Sequence, residues 1–370
     1  MPGQNINKKL HKPRVLLVPL DWGLGHATRC IPLVKALLEA GADVILGASG
    51  PGRNLLQQEF PQLQVLEAPA YHIRYSKNPA WLQWALLKQL PRALSVMKAE
   101  GRWLEQVIEE HQPVAVISDN RFGLAHPKLH SVIITHQLHI ETGSPWLNRM
   151  LQKVNHHYLN RFKACWIPDA EGEPNLAGNL SHPAKMPLIP VRYIGPLSRF
   201  SGTGKQSATE TNRLLFLLSG PEPQRSMLEQ QALQWLQKHR LEATLVRGLP
   251  NSGYSLPLVG DKIVIHNHLD AEKLEEEIRT CGWMIARCGY STVMDLAVMG
   301  KKALLIPTPG QTEQEYLARH LKKMNAFAIA GQEEWHKMSP DELLQMIDAS
   351  NIMPFPISLQ AHVRDWLQSH

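Results

Sequence analysis

The sequence is poor in cysteine and has no long apolar run. Its 370 residues include four cysteines, none in Cys-x-x-Cys spacing, and a chain of this length folds without disulfide bonds. No stretch reaches the ~18 uncharged apolar residues of a membrane-spanning helix. The polar residues 1–13 lack the apolar segment of a secretion signal. We therefore expect a cytoplasmic protein that is at most attached peripherally to the inner face of a membrane.

Positively charged residues only slightly outnumber negatively charged ones. Lysine and arginine number 39 against 33 aspartate and glutamate residues, which gives a net charge of +6 and a pI near 9.1. This excess favours acidic ligands or an anionic membrane surface, but it is too small to indicate a nucleic acid partner. No repeat of ~20–50 residues is visible, which excludes a solenoid. A hydrophobic content of 44% is enough for two separate cores.

Short apolar runs alternate with helical patterns along the chain, which indicates doubly wound parallel sheets in an α/β protein. The predicted strands cover residues 14–20, 43–48, 63–67, 114–118, 131–135, 165–168, 191–194, 213–218, 244–247, 262–266, 282–286 and 303–306. A run of Ser, Thr, Gly and Lys has linker composition and divides the chain. The predicted parts are an amino-terminal domain, a linker, a carboxyl-terminal domain and a final amphipathic helix, at residues 1–197, 198–212, 213–355 and 356–370.

The most informative stretch begins at the strand 282–286. Arg287, Cys288 and Gly289 form a predicted tight turn, and residues 290–299 form a helix that a glycine closes. The start of such a helix offers backbone N–H groups and a partial positive charge. An anion, most readily a phosphate, is expected there.

Polar side chains follow this turn. Asp295 shares a helix face with Ser291 and Thr292, where a carboxylate suits the paired hydroxyls of a ribose. The next strand leads into a loop whose polar residues could bind sugar hydroxyls: Gln311, Thr312, Glu313, Gln314 and Glu315.

These residues carry a resemblance to a known family. R-C-G-Y-S-T-V-M-D-L at 287–296, followed by P-T-P-G-Q-T-E-Q-E-Y at 307–316, is similar to the nucleotide-sugar signature of GT-B glycosyltransferases of family 28. That family includes the peptidoglycan N-acetylglucosaminyltransferase and the plant monogalactosyldiacylglycerol synthases. The resemblance implies two Rossmann-like domains that face a cleft, with the final helix crossing back onto the amino-terminal domain.

The resemblance also implies a nucleotide-diphosphate sugar, most readily UDP-linked, as a co-substrate held mainly by the carboxyl-terminal domain. Asp295 would bind the ribose, and Gln314 with Glu315 would bind the sugar. The family pair is commonly two glutamines, so Glu315 is a departure that leaves the sugar open. The predicted donor contacts are Gly23, Gly25, Ser219, Gly220, His268, Leu269, Arg287, Gly289, Tyr290, Ser291, Thr292, Asp295, Gln311, Gln314 and Glu315.

A second glycine turn, at Gly23 and Gly25, precedes His26. Such a loop lets backbone approach a ligand closely, although it is also an ordinary strand-to-helix turn. Asp119 ends another strand at the same rim of the sheet, so it can meet His26. An imidazole with a carboxylate partner is a competent general base; alternatively, Asp119 caps a helix or pairs with Arg121. The resemblance implies a His–Asp dyad that deprotonates an acceptor hydroxyl.

The acceptor is expected near His136 and Gln137, which correspond in place to a polar motif of the family. His156 and His157 have no second cluster at metal-ligand spacing. No metal and no cofactor other than the sugar nucleotide is therefore expected. The helix start, with Arg287 nearby, would stabilise the leaving diphosphate.

Residues 78–110 are basic and rich in tryptophan. Pro91 predicts two helices, and the second places Leu94, Met97, Leu104 and Ile108 at core spacing. The other side chains form either a solvated basic face with buried tryptophans or an interface with an anionic membrane. The lipid-linked acceptors of family 28 enzymes support the membrane interpretation. These side chains are Trp81, Trp84, Lys88, Arg92, Lys98, Arg102 and Trp103.

The leading hypothesis is a metal-independent glycosyltransferase that moves a hexose or N-acetylhexosamine to a lipid or cell-envelope glycan with inversion. Two alternatives stay open. One is a UDP-sugar 2-epimerase of the same fold. The other is a non-catalytic nucleotide-sugar-binding protein, which is less favoured because His26, Asp295 and Gln314 are all retained.

Overall fold

The computed structural model describes residues 12–71, 90–142, 144–200, 213–220, 222–249, 262–352, 355 and 359–369. These residues form two parallel sheets, of seven and six strands, with helices packed against them. The predicted α/β fold with two doubly wound sheets is confirmed. Within the described ranges, no helix is both long and apolar enough to cross a membrane.

The first sheet consists of β1 (Arg14–Pro19), β2 (Asp43–Ala48), β3 (Val65–Glu67), β4 (Ala115–Asp119), β5 (His130–Ile134), β6 (Ala164–Ile167) and β7 (Val191–Tyr193). Its helices are α1 (Leu24–Glu39), α2 (Gly50–Glu59), α3 (Leu90–His111) and α4 (Pro145–Leu159). The strand order is β3-β2-β1-β4-β5-β6-β7. The direction of winding changes between β1 and β4, so the loops after these two strands lie side by side, where open α/β sheets bind ligands.

The second sheet consists of β8 (Leu214–Leu217), β9 (Ala243–Val246), β10 (Ile263–His266), β11 (Trp283–Arg287), β12 (Leu304–Ile306) and β13 (Ala328–Ile329). The helices of this half are α5 (Gln224–His239), α6 (Ala271–Thr280), α7 (Tyr290–Met299), α8 (Thr312–Lys323), α9 (Pro340–Ala349) and α10 (Leu359–Gln368). The strand order is β10-β9-β8-β11-β12-β13. The switch point lies between β8 and β11, next to the turn that leads into α7.

The strands are apolar on both faces because helices cover both faces. In β1, Val15 and Leu17 pack in one cluster with α1, whereas Leu16 and Val18 pack in another cluster with α3. Successive side chains of a strand point to opposite faces, so a strand covered twice has a continuous apolar run. This is why β1 could be predicted from composition alone.

Helix α10 crosses back to the first domain, as the resemblance implied. The ring of Trp366 lies edge-on to that of Trp166 in β6, with centroids 5.2 Å apart. Leu359 and Val363 are buried in the same core cluster as α1. Burial of these apolar residues gives α10 its stability, since a helix of ten residues is marginal alone.

Several expectations need correction. Leu94, expected in the core, is exposed on α3. Trp103 packs on the sheet, as the alternative with buried tryptophans had it, and a Cβ on Gly47 would lie 2.6 Å from its ring. Trp81, Trp84, Lys88 and the first predicted helix of that region lie outside the described residues. Most of the predicted linker does too, so the domain boundaries stay a prediction.

Candidate active site between the two domains

The loop after β1 and the start of α7 are in direct contact. Gly23 precedes α1 with a φ of +73°, a conformation that glycine adopts freely. The Ser291 hydroxyl donates to the Gly25 carbonyl at 3.1 Å, across 266 residues of sequence. A Cβ on Gly25 would lie only 3.0 Å from the Ser291 Oγ. The lack of a side chain at position 25 thus lets the two predicted glycine turns meet.

His26 lies in the first turn of α1, directly after this contact. Its Nδ1 is 2.9 Å from Oδ2 of Asp119, the last residue of β4. The carboxylate is fully buried, whereas the imidazole side chain is 15% exposed. The ring therefore bridges a buried anion and the surface of the cleft. The structure brings His26 and Asp119 together, whereas Arg121 pairs with Glu100.

A cation that sequence reasoning missed completes this group. Arg29, buried on α1, donates from Nε to Oδ2 of Asp119 at 2.9 Å and from Nη2 to Oδ1. The same Nη2 is 2.8 Å from Nδ1 of His26. Arg29 follows His26 by three residues, the spacing that puts two side chains on one helix face. That spacing was the signal available in the sequence.

The charges of this group set its protonation. Burial, and then Arg29, lower the pKa of His26, against the opposing effect of Asp119. Burial would raise the pKa of Asp119, but Arg29 and His26 hold it far below the ordinary value. At neutral pH Asp119 is therefore ionised and His26 is neutral, which is the form that can accept a proton.

No side chain caps the start of α7, and the Arg287 side chain is directed elsewhere. Gly289 precedes the helix, and no side chain caps this end, so its backbone N–H groups are suited to an anion. Arg287 is buried and donates from Nη2 to the Gln224 carbonyl at 2.7 Å. Burial lowers its pKa to about 10. Arg287 thus holds the start of α5 against β11, instead of making the predicted direct contact with a diphosphate.

Asp295 lies one turn into α7, where the first domain ends against the second. Its Oδ1 accepts a hydrogen bond from the Ser198 hydroxyl at 2.6 Å, and its Oδ2 is 3.8 Å from Nε of Arg199. Burial raises the pKa of Asp295 to about 6, against the opposing effect of Arg199. The carboxylate is thus buried among polar groups. Ser198 had no signal in the sequence, because it lies at the start of the predicted linker.

The side chain of Tyr290 joins the two domains. Its ring stacks on that of His136 with centroids 3.9 Å apart. Its hydroxyl donates to the Pro168 carbonyl at 2.7 Å, and the residue is buried. A buried tyrosine with its hydroxyl paired contributes packing and orientation. The predicted donor contact at this position is therefore left to the backbone N–H of Tyr290 at the start of α7.

His136 and Gln137 reach across to Glu313 in the first turn of α8. His136 Nε2 is 2.9 Å from Oε1 of Glu313, and the Gln137 side-chain amide donates to Oε2. Burial would raise the pKa of Glu313, but His136, Arg29 and His26 lower it. The predicted acceptor residues of the first domain therefore pair with an ionised carboxylate of the second domain. The prediction had placed Glu313 only among the loop residues that could bind sugar hydroxyls.

Gln314 and Glu315 fold back on the loop before them. Gln314 Oε1 accepts from the Thr308 N–H at 2.9 Å, and Glu315 Oε1 accepts from the Gly310 N–H at 2.8 Å. Gln314 also donates to Oε1 of Gln311 at 2.5 Å. A carboxylate accepts and cannot donate, so Glu315 suits the Gly310 N–H. Both side chains thus shape the loop before them, and the structure does not explain why a glutamate stands at position 315.

The remaining predicted donor residues lie near the same edge of the second sheet. Gly220 follows β8 with a φ of +101°, next to Ser219. His268 is half-buried, and burial together with Arg199 lowers its pKa. The side chain of Leu269 packs in the core, so its backbone is left for the predicted contact. Thr292 follows Ser291 in the first turn of α7 and is partly exposed.

Sequence comparisons with known proteins find glycosyltransferases. Residues 258–354 match the glycosyltransferase family 28 C-terminal domain. An uncharacterized glycosyltransferase of Methanosarcina acetivorans is 25% identical, over 82% of this chain and 81% of its own. The UDP-N-acetylglucosamine--N-acetylmuramyl-(pentapeptide) pyrophosphoryl-undecaprenol N-acetylglucosamine transferase of Novosphingobium aromaticivorans is 27% identical, over 91% of this chain and 84% of its own. The chain is thus similar to glycosyltransferases over most of its length, and residues 258–354 match the family 28 C-terminal domain.

Its architecture is that of GT-B glycosyltransferases. The solved spinosyn rhamnosyltransferase SpnG superposes with a TM-score of 0.61, over 96% of this chain and 95% of that one, at 20% identity. The family 28 match starts before β10 and ends beyond α9. It contains the predicted donor residues from His268 onward, whereas His26, Asp119 and the first domain lie outside it. Among the described residues, no group of three or more His, Cys, Asp or Glu side chains could hold a metal ion.

Proposed function

We propose that the protein transfers a hexose or N-acetylhexosamine from a nucleotide-diphosphate sugar, most readily a UDP-linked one, to an acceptor hydroxyl with inversion. The observation that carries this proposal is the Gly25–Ser291 contact. It places His26 of the first domain beside the start of α7 in the second. A base and an anion-binding helix end are thereby brought to one point of the cleft.

In the proposed reaction, the acceptor hydroxyl gives its proton to Nε2 of His26 while its oxygen bonds to the anomeric carbon. The bond from that carbon to the β-phosphate oxygen breaks, and its electron pair leaves with the nucleoside diphosphate. Asp119 holds the ring through Nδ1. Backbone N–H groups at the start of α7 stabilise the negative charge of the leaving group. We propose that this step uses no bound metal and no cofactor beyond the sugar nucleotide.

We propose a lipid-linked or cell-envelope glycan acceptor that lies near His136 and Gln137, at the cytoplasmic face of a membrane. The name of the Novosphingobium relative specifies an undecaprenol-linked acceptor for that protein. The polar pair lies beside the candidate base, because His136 is close enough to His26 to oppose a positive charge on its ring. These two observations support an acceptor that enters from the side of the first domain.

A thermal-shift panel tests the donor. UDP, GDP, TDP and their hexose conjugates would be compared, since a ligand at about 100 times its dissociation constant adds about 2.7 kcal/mol of stability. We expect UDP and UDP-sugars to give the largest shift, and no shift with any nucleotide would contradict the proposal. Incubation with UDP-N-acetylglucosamine alone separates the competing enzyme class. A 2-epimerase would convert the donor without an acceptor, whereas a transferase would leave it nearly intact.

Asp295→Asn should weaken nucleoside diphosphate binding about 10- to 100-fold, because a hydrogen bond to a charged group contributes ~1.5–3 kcal/mol. Burial raises the pKa of Asp295 to about 6, so the wild-type carboxyl takes up a proton as the pH falls through that value. Affinity should decrease with falling pH in the wild type and be nearly constant in the variant. Titration calorimetry at several pH values measures both. Asp348→Asn, exposed on α9, is the control, and equal affinities for all three proteins would exclude ribose binding at Asp295.

We propose that the first domain contacts an anionic membrane surface, as the predicted 81–102 region suggested. In the described part of that region, Leu94, Arg92, Lys98 and Arg102 are exposed on α3. Helix α4 adds an apolar stripe on the same sheet face, with Trp146, Met150 and Val154 exposed by 70%, 41% and 45%. No acidic residue occurs from 142 to 168. Exposed apolar side chains among basic ones suit a lipid surface.

Vesicle sedimentation tests this surface. The wild type should sediment with vesicles rich in phosphatidylglycerol and stay in solution with pure phosphatidylcholine, because lysine and arginine near an anionic surface each contribute ~1 kcal/mol. Trp146→Ser with Met150→Ser should reduce the bound fraction severalfold. Met227→Ser, at a residue 42% exposed on α5 of the second domain, is the matched control. Sedimentation unaffected by the α4 changes would contradict this docking surface.

A further inference from the structure

The buried guanidinium of Arg29 contacts both members of the candidate dyad. It binds the Asp119 carboxylate through two nitrogens, and its Nη2 is 2.8 Å from Nδ1 of His26. Arg29 and Asp119 are both buried, so water does not screen the pair. In a dyad without this cation, the carboxylate would act on the imidazole alone.

We infer that Arg29 is a positioning residue that competes with His26 for Asp119 and thereby holds the imidazole in its neutral form. Fork-shaped pairing is the strongest mode of carboxylate binding that a side chain offers. A carboxylate whose charge is neutralised in this way attracts a second cation only weakly. Protonation of His26 would also put two cations 2.8 Å apart, which is unfavourable in a buried site.

The two contacts of Nδ1 cannot be equivalent at one moment. Nδ1 donates to Asp119 when it carries a proton, and it accepts from Arg29 when it does not. In the first form, Nε2 has a free electron pair for an acceptor proton. In the second form, Nε2 carries the hydrogen and can only donate. Arg29 therefore influences whether Nε2 of His26 acts as a proton acceptor or as a hydrogen-bond donor.

Other groups also face His26 and influence its protonation. Cys30 of α1 lies beside Asp119. Burial raises the pKa of the Cys30 thiol, so the thiol stays neutral. His136 from the segment after β5 opposes a charge on His26, and Glu313 from α8 favours one. His136 and Glu313 are paired with each other, and they act on His26 in opposite directions. Arg29 is the cation that acts most strongly on the ring.

This inference rests on the proposed function only for its catalytic consequence. If His26 is the base, Arg29 keeps it unprotonated at lower pH, so the acidic limb of the rate profile lies at lower pH than for an ordinary His–Asp pair. The titration of His26 itself is a property of the nucleotide-free protein. It can be measured whether or not the protein transfers a sugar.

Histidine-labelled protein provides the test by NMR titration, with the His26 signal assigned by its absence in His26→Gln. Arg29→Met should raise the pKa of His26 by about one to three units, as expected when a nearby charge is removed. Arg29→Lys retains the cation and should restore a value close to that of the wild type. A purely structural role would make Met and Lys act alike. Lys35→Met, which removes an exposed charge from the same helix, should change nothing.

Because Arg29→Met leaves Asp119 without its main partner, the change is also made in an Asp119→Asn background. The double variant has no unmatched buried charge, and the pKa of His26 should be higher in it than in Asp119→Asn, where Arg29 still faces the ring. A rise smaller than about one unit in both backgrounds overturns the inference. If the pKa rises but no nucleotide shifts the melting temperature, the inference stands and the proposed transferase function fails.

Discussion

Replacing His26 with alanine will slow sugar transfer by about 100- to 10,000-fold, the usual contribution of a general base. The imidazole is the group of the candidate dyad that reaches the cleft surface, since Asp119 is fully buried behind it. Without the ring, the acceptor hydroxyl has no partner for its proton as the new bond forms. Binding of the donor should change little, because the predicted donor contacts are mainly on the second domain.

The measurement compares kcat and KM for the UDP-sugar that the thermal panel selects, with a matched calorimetric Kd for UDP. His157→Ala, at an exposed position of α4, controls for the loss of a histidine. Asp119→Asn should lose part of the activity because it replaces the carboxylate that orients Nδ1 with a neutral amide. Turnover of His26→Ala within threefold of the wild type, with folding intact, would contradict the proposed base.

Local pattern was sufficient to predict the elements that frame this site. Helix α7 runs from Tyr290 to Met299 as predicted, and Gly300 follows it with a φ of +62°. Its start and end are set by the turn before it and by a glycine that alone takes the left-handed conformation without strain. Twelve strands were predicted within about three residues of their ends, because buried strands have a continuous apolar run. The two-residue β13 is too short to produce such a signal.

The partners of the site residues could not be predicted in the same way. Asp295 was placed one turn from Ser291 on α7, but its hydrogen bond to Ser198 joins residues 97 positions apart. Arg287 was assigned to a phosphate by its position in a turn, whereas packing buries it on the carbonyl of Gln224. These outcomes depend on how two domains dock, and neither periodicity nor turn chemistry contains that information. Helical spacing could have identified Arg29, since its link to His26 is local.

A second buried ion pair anchors the loops at the carboxyl edge of the first sheet. Arg121 Nη1 is 2.9 Å from Oε1 of Glu100, and neither side chain has any solvent exposure. The same guanidinium donates to the carbonyls of Pro19 and Pro69 at 2.7 Å. Tyr71 and the Gly123 N–H donate to the other carboxylate oxygen at 3.0 Å. Helix α3 is thereby tied to the loops after β1, β3 and β4, including the loop that leads to His26.

Arg121→Met should destabilise the protein by about 3–5 kcal/mol, because removal of one partner leaves an uncompensated buried charge. Burial already raises the pKa of Glu100, and Arg121 opposes that rise, so the variant raises it further. A protein becomes more stable as the pH falls when it contains an acid whose pKa is higher in the folded state than in the unfolded state. The deficit relative to the wild type should therefore shrink toward acidic pH. Urea unfolding at neutral and acidic pH measures both effects.

Two further variants separate the buried charge from the loss of the side chain. Arg102→Met makes the same exchange at an exposed position of α3 and should cost less than about 0.5 kcal/mol. Arg121→Met combined with Glu100→Gln removes both charges and should recover part of the lost stability. If the double variant is as unstable as Arg121→Met alone at neutral pH, the hydrogen bonds of Arg121 to Pro19 and Pro69, and not its charge, hold these loops. A deficit independent of pH would lead to the same conclusion, since only an ionisable Glu100 makes the cost depend on protons.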